Sequence, residues 1–403
     1  LYPIMYLNIA AALANVEPSL EESARNVGAK GFRLFRTITF PLMLPGYFAG
    51  AIIVFIWAFT DLGTPLNFEF REVVAVQIFN MSTDVHSNPL GYALVVLVVF
   101  VTLALFYLSK KFFGGRHYEM VARGHVMSSS QRATTLETVL IWGMFLSITG
   151  IALIPHLSVI LTSVTERWFM TVLPSDYTVA YYSQIFEHNL TLLSIKNSLW
   201  LSVMSTVIDI VLGVVIAYLL TRRRFPFSNT LDAVAMLPLA LPGLVLAFGY
   251  VSGFSGTMLD VRISPVPLLI IAYAVRRLPY MVRAAYAGFQ QMSVTLEEAS
   301  MNMGAGPIRT LWKITMPLVL ANVVAGAILA FSFAMLEVSD SLVLAIKEQY
   351  YPITKAIYSL MGRITDGPYM ASAMGMLGMV LLACSLLFTG KVLGKRMGQL
   401  FKI

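Results

Sequence analysis

Apolar runs long enough to cross a bilayer, broken by short polar stretches, set the pattern along this chain. A helix needs about 20 apolar residues to span the hydrocarbon core. Runs of this order occur at Leu42–Thr60, Gly91–Leu108, Val139–Leu161, Leu199–Leu220, Leu231–Val251, Pro267–Phe289, Ile314–Leu336 and Ala371–Val392. Leu1–Val16 reads as the tail of a further span. The pattern predicts an all-α integral membrane protein, a polytopic helical bundle.

Composition agrees. The chain is 58% hydrophobic and 12% charged, where a soluble domain carries about a quarter charged residues. The net charge of +7 is informative through its location. Only Arg71, Arg167, Lys196, Arg262, Lys347, Lys355 and Arg363 fall on one side of the predicted spans. The other Lys and Arg residues lie in or lead into the opposite loops, as in Arg25/Lys30/Arg33/Arg36 and Lys110/Lys111/Arg116. The positive-inside rule makes those loops cytoplasmic, and every span then alternates direction without conflict. The basic excess is therefore an orientation signal and not a nucleic-acid surface. Cys384 is the lone cysteine, so no disulfide or thiolate metal site forms within one chain.

Against this background one polar pattern occurs twice, 276 residues apart and without a gap. Leu20-Glu21-Glu22-Ser23-Ala24, Gly28-Ala29 and Ile38-Thr39-Phe40-Pro41-Leu42 match Leu296-Glu297-Glu298-Ala299-Ser300, Gly304-Ala305 and Ile314-Thr315-Met316-Pro317-Leu318. The same shift carries Pro3 onto Pro279. Both copies fall on the cytoplasmic side. Ser19 with Glu22 predicts a helix start of capping-box type, and Thr295 with Glu297 and Glu298 a weaker one. Gly28 and Gly304 allow a sharp turn at the end of a short helix. Pro41 and Pro317 suit the first turn of the helix that re-enters the membrane.

The duplication divides the chain into 1–115, the C-terminal part of a first repeat, a polar cytoplasmic linker at 116–137, and 138–403, a second repeat of six spans. An even span count makes the repeats parallel. If the halves are equivalent, the front of the first repeat is expected to be missing.

The duplicated pattern resembles the hallmark of permease subunits of ATP-binding cassette importers: Glu-Ala-Ala, three residues, Gly, nine residues, Ile-x-Leu-Pro. Here it reads Glu22-Ser23-Ala24, Gly28, Ile38-Thr39-Phe40-Pro41, and Glu298-Ala299-Ser300, Gly304, Ile314-Thr315-Met316-Pro317. The departures are Ser for Ala once in each copy and Phe or Met for Leu. Two copies in one chain, with Tyr2-Pro3, Leu278-Pro279-Tyr280 and Asp61-Leu62-Gly63-Thr64-Pro65, are similar to the fused permeases of the ferric-iron, thiamine, polyamine and aminoalkylphosphonate group. The resemblance implies a multi-pass protein of the bacterial inner membrane, two cytoplasmic ABC ATPase subunits and a periplasmic substrate-binding protein as partners, and a small solute, ferric iron foremost, as cargo. It also implies that Glu21, Glu22, Ala24, Gly28, Pro41, Glu297, Glu298, Ala299, Gly304 and Pro317 belong to coupling segments that dock on the ATPase.

The chain has no Gly-x-x-x-x-Gly-Lys-Ser/Thr loop; Gly394-Lys395 is followed by Arg396. ATP and Mg are therefore expected on a partner subunit. No catalytic residue, metal site or cofactor is assigned to this chain, and it is read as a permease and not an enzyme. Ionisable groups in or near spans are candidates for the transport path because lipid makes them costly. Asp61 and Glu337 correspond under the 276 shift and are read either as an acidic pair beside the path or as wetted helix-end residues. Asp209 is read as an interhelical contact or a path group, and Arg276 and Arg277 as groups lining a water-filled cavity. The alternative to an ATP-driven importer is a secondary transporter driven by an ion gradient, also built from parallel repeats.

Overall fold

A computed structural model describes residues 1–403 apart from 14, 15, 17, 83–88, 114–133, 169, 224, 364 and 394–403. The linker expected at 116–137 lies largely outside the described residues. Its last residues already form a helix start: Glu137 Oε2 accepts from the Thr134 backbone N–H and hydroxyl at 2.8 and 3.0 Å, a capping box that opens Thr135–Ser163.

The regular elements among the described residues are all helices, with one isolated antiparallel bridge between Thr165 and Tyr177. Among them, Gly31–Asn67, Thr135–Ser163, Asn189–Arg222, Pro307–Met335 and Gly367–Lys391 are long and apolar enough to cross a membrane. On Thr135–Ser163 even large apolar side chains stay exposed, Leu140 at 63% and Ile151 at 69%; surface of that kind requires an apolar surrounding. Tyr2–Leu13 and Pro89–Leu105 are shorter apolar helices. Val266–Gln291 has 26 residues and covers the expected run Pro267–Phe289, but Arg276, Arg277 and Arg283 make it amphipathic.

The run Leu231–Val251 is not one straight span. It breaks into Ser228–Ala240 and Gly243–Gly253, which meet at 101°. Leu241 (φ −92°, ψ 134°) and Pro242 (φ −61°, ψ 134°) are extended, because a proline disfavours α geometry in the residue before it and offers no N–H of its own.

The described residues form two compact units, one of 1–59 with 100–158 and the other of 60–99 with 159–400. In the first, Tyr2–Leu13 packs on Phe40–Phe59. In the second, Asn189–Arg222, Val266–Gln291 and Met316–Met335 pack together around Ala217, Met281, Ala285, Phe289, Val319 and Val323. Their backbones approach closely: a Cβ on Gly326 would lie 2.6 Å from the Ala284 methyl. Small residues let membrane helices gain van der Waals contact where no hydrophobic drive acts between them.

The sequence repeat is also a repeat of elements. Pro18–Asn26, Gly31–Leu34, Phe35–Thr39 and Phe40–Phe59 recur as Val294–Asn302, Pro307–Thr310, Leu311–Thr315 and Met316–Met335, each displaced by the same 276 residues. Phe35–Thr39 and Leu311–Thr315 are π turns, with the N–H of Phe40 reaching Phe35 O and that of Met316 reaching Leu311 O. Pro41 and Pro317 sit directly after them. They lie in the first turn of Phe40–Phe59 and Met316–Met335, as the pattern suggested, and the π turns join those helices to the short ones that start at Gly31 and Pro307. A proline ring collides with the carbonyl four residues back in a regular α-helix. The wider π turn displaces that carbonyl and lets the chain continue.

Candidate functional site

Each short helix, Pro18–Asn26 and Val294–Asn302, leads into a tight turn at Gly28 or Gly304. These glycines have φ of +89° and +88°, the left-handed region that L side chains disfavour. The turns carry matching backbone bonds, Ala29 N to Ala24 O at 3.0 Å and Ala305 N to Ser300 O at 3.1 Å. The helix starts differ from expectation. Ser19 lies inside the first helix, which begins at Pro18. The second is capped by Ser293, whose hydroxyl accepts from the Thr295 N–H at 3.3 Å, and not by Thr295 itself.

The two acids of each copy separate by role. Thr39 Oγ1 donates to Glu21 Oε1 at 2.7 Å, and Thr315 Oγ1 donates to Glu297 Oε1 at 2.8 Å. The first acid therefore reaches back to the π turn, in both copies alike. The second acids, Glu22 and Glu298, are exposed. Ala24 is buried, whereas Ala299 is exposed. Glu297 carries a further bond from Arg222 Nε at 2.9 Å, while Glu21 has Arg25 at 3.7 Å on its own helix.

The path candidates fall into unlike surroundings. Asp61 is exposed; Glu337, its counterpart under the shift, is 3% exposed. Arg276 Nη1 donates to Glu337 Oε1 at 2.9 Å and Arg277 Nη2 pairs with Glu337 Oε2. Sequence explains the inequality, since Leu1 stands where the second copy has Arg277. Arg276 also lies 3.8 Å from buried Asp340. It fills the bend of the broken span: a Cβ on Gly243 would collide with its guanidinium. Arg277 donates to Phe333 O at 3.1 Å and lies over the Phe333 ring at 5.7 Å. Two arginines thus face two buried carboxylates in one cluster. Asp209 is 1% exposed and neither of its oxygens has a hydrogen-bond partner among the described residues.

Outside the spans, Asp260 takes Nε and Nη2 of Arg262 at 3.0 and 2.6 Å and the Gly256 N–H at 2.7 Å. The Arg262 side-chain bonds, then the backbone N–H groups, hold its carboxyl well below the usual range. Among the described residues no group of three His, Cys, Asp or Glu side chains could hold a metal ion.

These features, two copies of a short helix, glycine turn and π-hinged span, meet a family profile. The profile of the binding-protein-dependent transport system inner membrane component matches residues 1–116 and 209–399. The chain belongs to that family. Among the relatives of this permease is the ferric transport system permease protein FbpB of Actinobacillus pleuropneumoniae, 27% identical over 97% of this chain and 57% of the relative. The putative ferric transport system permease protein FbpB 1 of Haemophilus influenzae is 28% identical over 84% of this chain and 54% of its own length. The chain thus spans a little over half of these relatives. The molybdate/tungstate transport system permease protein WtpB of Pyrococcus furiosus is 29% identical over 47% of this chain. Of solved structures, a bacterial ABC transporter involved in the import of the acidic polysaccharide alginate aligns at TM-score 0.48 and 16% identity, over 65% of this chain.

Two features of the permease lay beyond sequence reasoning. Arg222 and Glu297 are 75 residues apart and no spacing links them. Asp340 gave no signal, because it sits just past a span. The Thr39 and Thr315 bonds could have been found, since both threonines obey the 276 shift.

Proposed function

We propose that this permease is the membrane subunit of an ATP-driven importer that carries a small solute, ferric iron foremost, from periplasm to cytoplasm by alternating access. The observation that carries the proposal is the duplicated short helix, each copy offering an exposed acid, Glu22 or Glu298, ahead of a glycine turn. Two such helices suit two ATPase subunits. Closure of those subunits on ATP would draw the two helices together and turn the path outward; hydrolysis would return it. Glu21, Ala24, Pro41, Glu297, Ala299 and Pro317 shape the segments that transmit this motion. A periplasmic binding protein delivers the solute, and the site of action is the bacterial inner membrane. Support for iron comes from the relatives named for ferric transport.

The test is uptake of radiolabelled ferric iron by membrane vesicles holding the full-length protein and its co-purified partners. ATP-dependent uptake that falls at least tenfold in the Glu22→Lys/Glu298→Lys double variant supports the reading. Uptake driven by an ion gradient without ATP, or normal uptake in the double variant, overturns it.

A further inference from the structure

The second short helix has one buried residue, and it is charged. Of Val294–Asn302 only Glu297 is buried, so no apolar face fastens this helix to the bundle. Its carboxylate does so instead. Glu297 Oε2 accepts from Arg222 Nε at 2.9 Å and Oε1 from Thr315 Oγ1 at 2.8 Å. Arg222 is the last residue of Asn189–Arg222. Its Nη2 also donates to the carbonyls of Phe289 and Met292, at 3.0 and 3.3 Å, where Val266–Gln291 ends. The guanidinium carbon stands 5.8 Å from the centre of the Phe289 ring. The final carbonyls of a helix lack partners within it and favour a cation. A planar guanidinium can serve several acceptors in fixed directions, which an ammonium cannot. Arg222 and Glu297 side chains are 8% and 9% exposed, so water screens the pair little.

We propose that Arg222 is a positioning residue, and that Arg222–Glu297–Thr315 is the joint through which displacement of the second short helix reaches Asn189–Arg222, Val266–Gln291 and the π turn. This rests on the reading of that helix as an ATPase-docking element, and it assigns Glu297 an inward task and leaves docking to Glu298. The other side-chain link from Val294–Asn302 is Ser300, whose hydroxyl meets that of buried Thr310 at 3.0 Å, a neutral contact beside the charged one. The π turn that receives the Thr315 arm is the segment of its span least constrained to α geometry.

The test uses the full-length protein and backbone amide exchange, with and without its co-purified ATPase. Three variants are compared: Arg222→Gln/Glu297→Gln, which leaves no unpaired buried charge, Arg222→Lys, and Thr315→Val. Without partners, the double variant is expected to exchange residues 294–302 on the order of tenfold faster, as loss of a buried charged hydrogen bond implies. With the ATPase bound, ATP is expected to change exchange in 205–222 and 280–291 of the wild type, and to change only 294–302 in the double variant. Lys at 222 should fall between the two. A nucleotide response that still reaches both long helices in the double variant overturns the joint, even if the short helix has loosened. Failure of the wild type to bind any ATPase overturns the docking reading and the joint as a transmitter together. The partner-free exchange then still reports whether Arg222 fastens the helix.

Discussion

Replacing Gly28 or Gly304 by alanine isolates the backbone geometry of the turns proposed to dock on the ATPase. A Cβ at either position would meet nothing within 4 Å, so sterics with neighbours contribute no cost. What remains is the conformation itself, φ of +89° and +88°. The left-handed region costs a non-glycine residue roughly 1–2 kcal/mol, which corresponds to about 5–30-fold in population. The two glycines have the same geometry, so the two single variants should match and the double should lose about the product of their effects. Asparagine tolerates this region better than other side chains, so Gly304→Asn should recover part of the loss. The assay is the affinity of the purified ATPase for the permease in detergent, read by titration, beside thermal unfolding of the permease alone. Unfolding should move little, because the turns are exposed and carry few contacts. Equal affinity for wild type and the Ala double variant, or an Asn variant no better than Ala, would show that docking does not need this turn as drawn.

Other outcomes follow from the buried charges and the broken span. Glu337→Gln leaves Arg276 and Arg277 without their shared carboxylate, and breaking a buried pair on one side costs about 3–5 kcal/mol; thermal unfolding in detergent should drop by many degrees, and an unchanged midpoint would mean that water already serves the arginines. Pro242→Ala restores an N–H at the 101° bend and should tighten amide protection across 241–244, whereas unaltered protection would place the cause of the bend outside the proline. Asp260, with its lowered pKa, lends the loop stability that is full above the ordinary carboxylate value of about 3.9 and is lost as pH falls below it. Limited proteolysis of 254–265 should therefore be slow at neutral pH and quicken on strong acidification. Asp260→Asn should be cut quickly at every pH, and a wild-type rate independent of pH would refute the assignment.

Much of this architecture was legible in the chain because its signals are local or periodic. Apolar runs located the spans, and a gapless repeat located both short helices with their glycine turns. The twin prolines and glycines marked their turns. What escaped depends on encounters between distant residues or on competing local rules. Leu231–Val251 has the composition of a span, yet Leu241-Pro242 overrides it through backbone geometry. Asp61 and Glu337 are matched in sequence and unmatched in environment: Arg277, which pairs with Glu337 from 60 positions before it, has Leu1 as its counterpart ahead of Asp61. The capping residues were misplaced because Pro18 and Ser19 stand together at one helix start and Ser293 and Thr295 at the other, and spacing alone could not choose between them.

The paired π turns carry a record of descent. A π turn accommodates one residue more than the α-helical turn it replaces. Phe35–Thr39 and Leu311–Thr315 occupy the same place in copies that align without a gap. An extra residue acquired separately in each half would have had to arise twice at one position. A single acquisition in an undivided ancestor, followed by duplication, would leave the pattern seen.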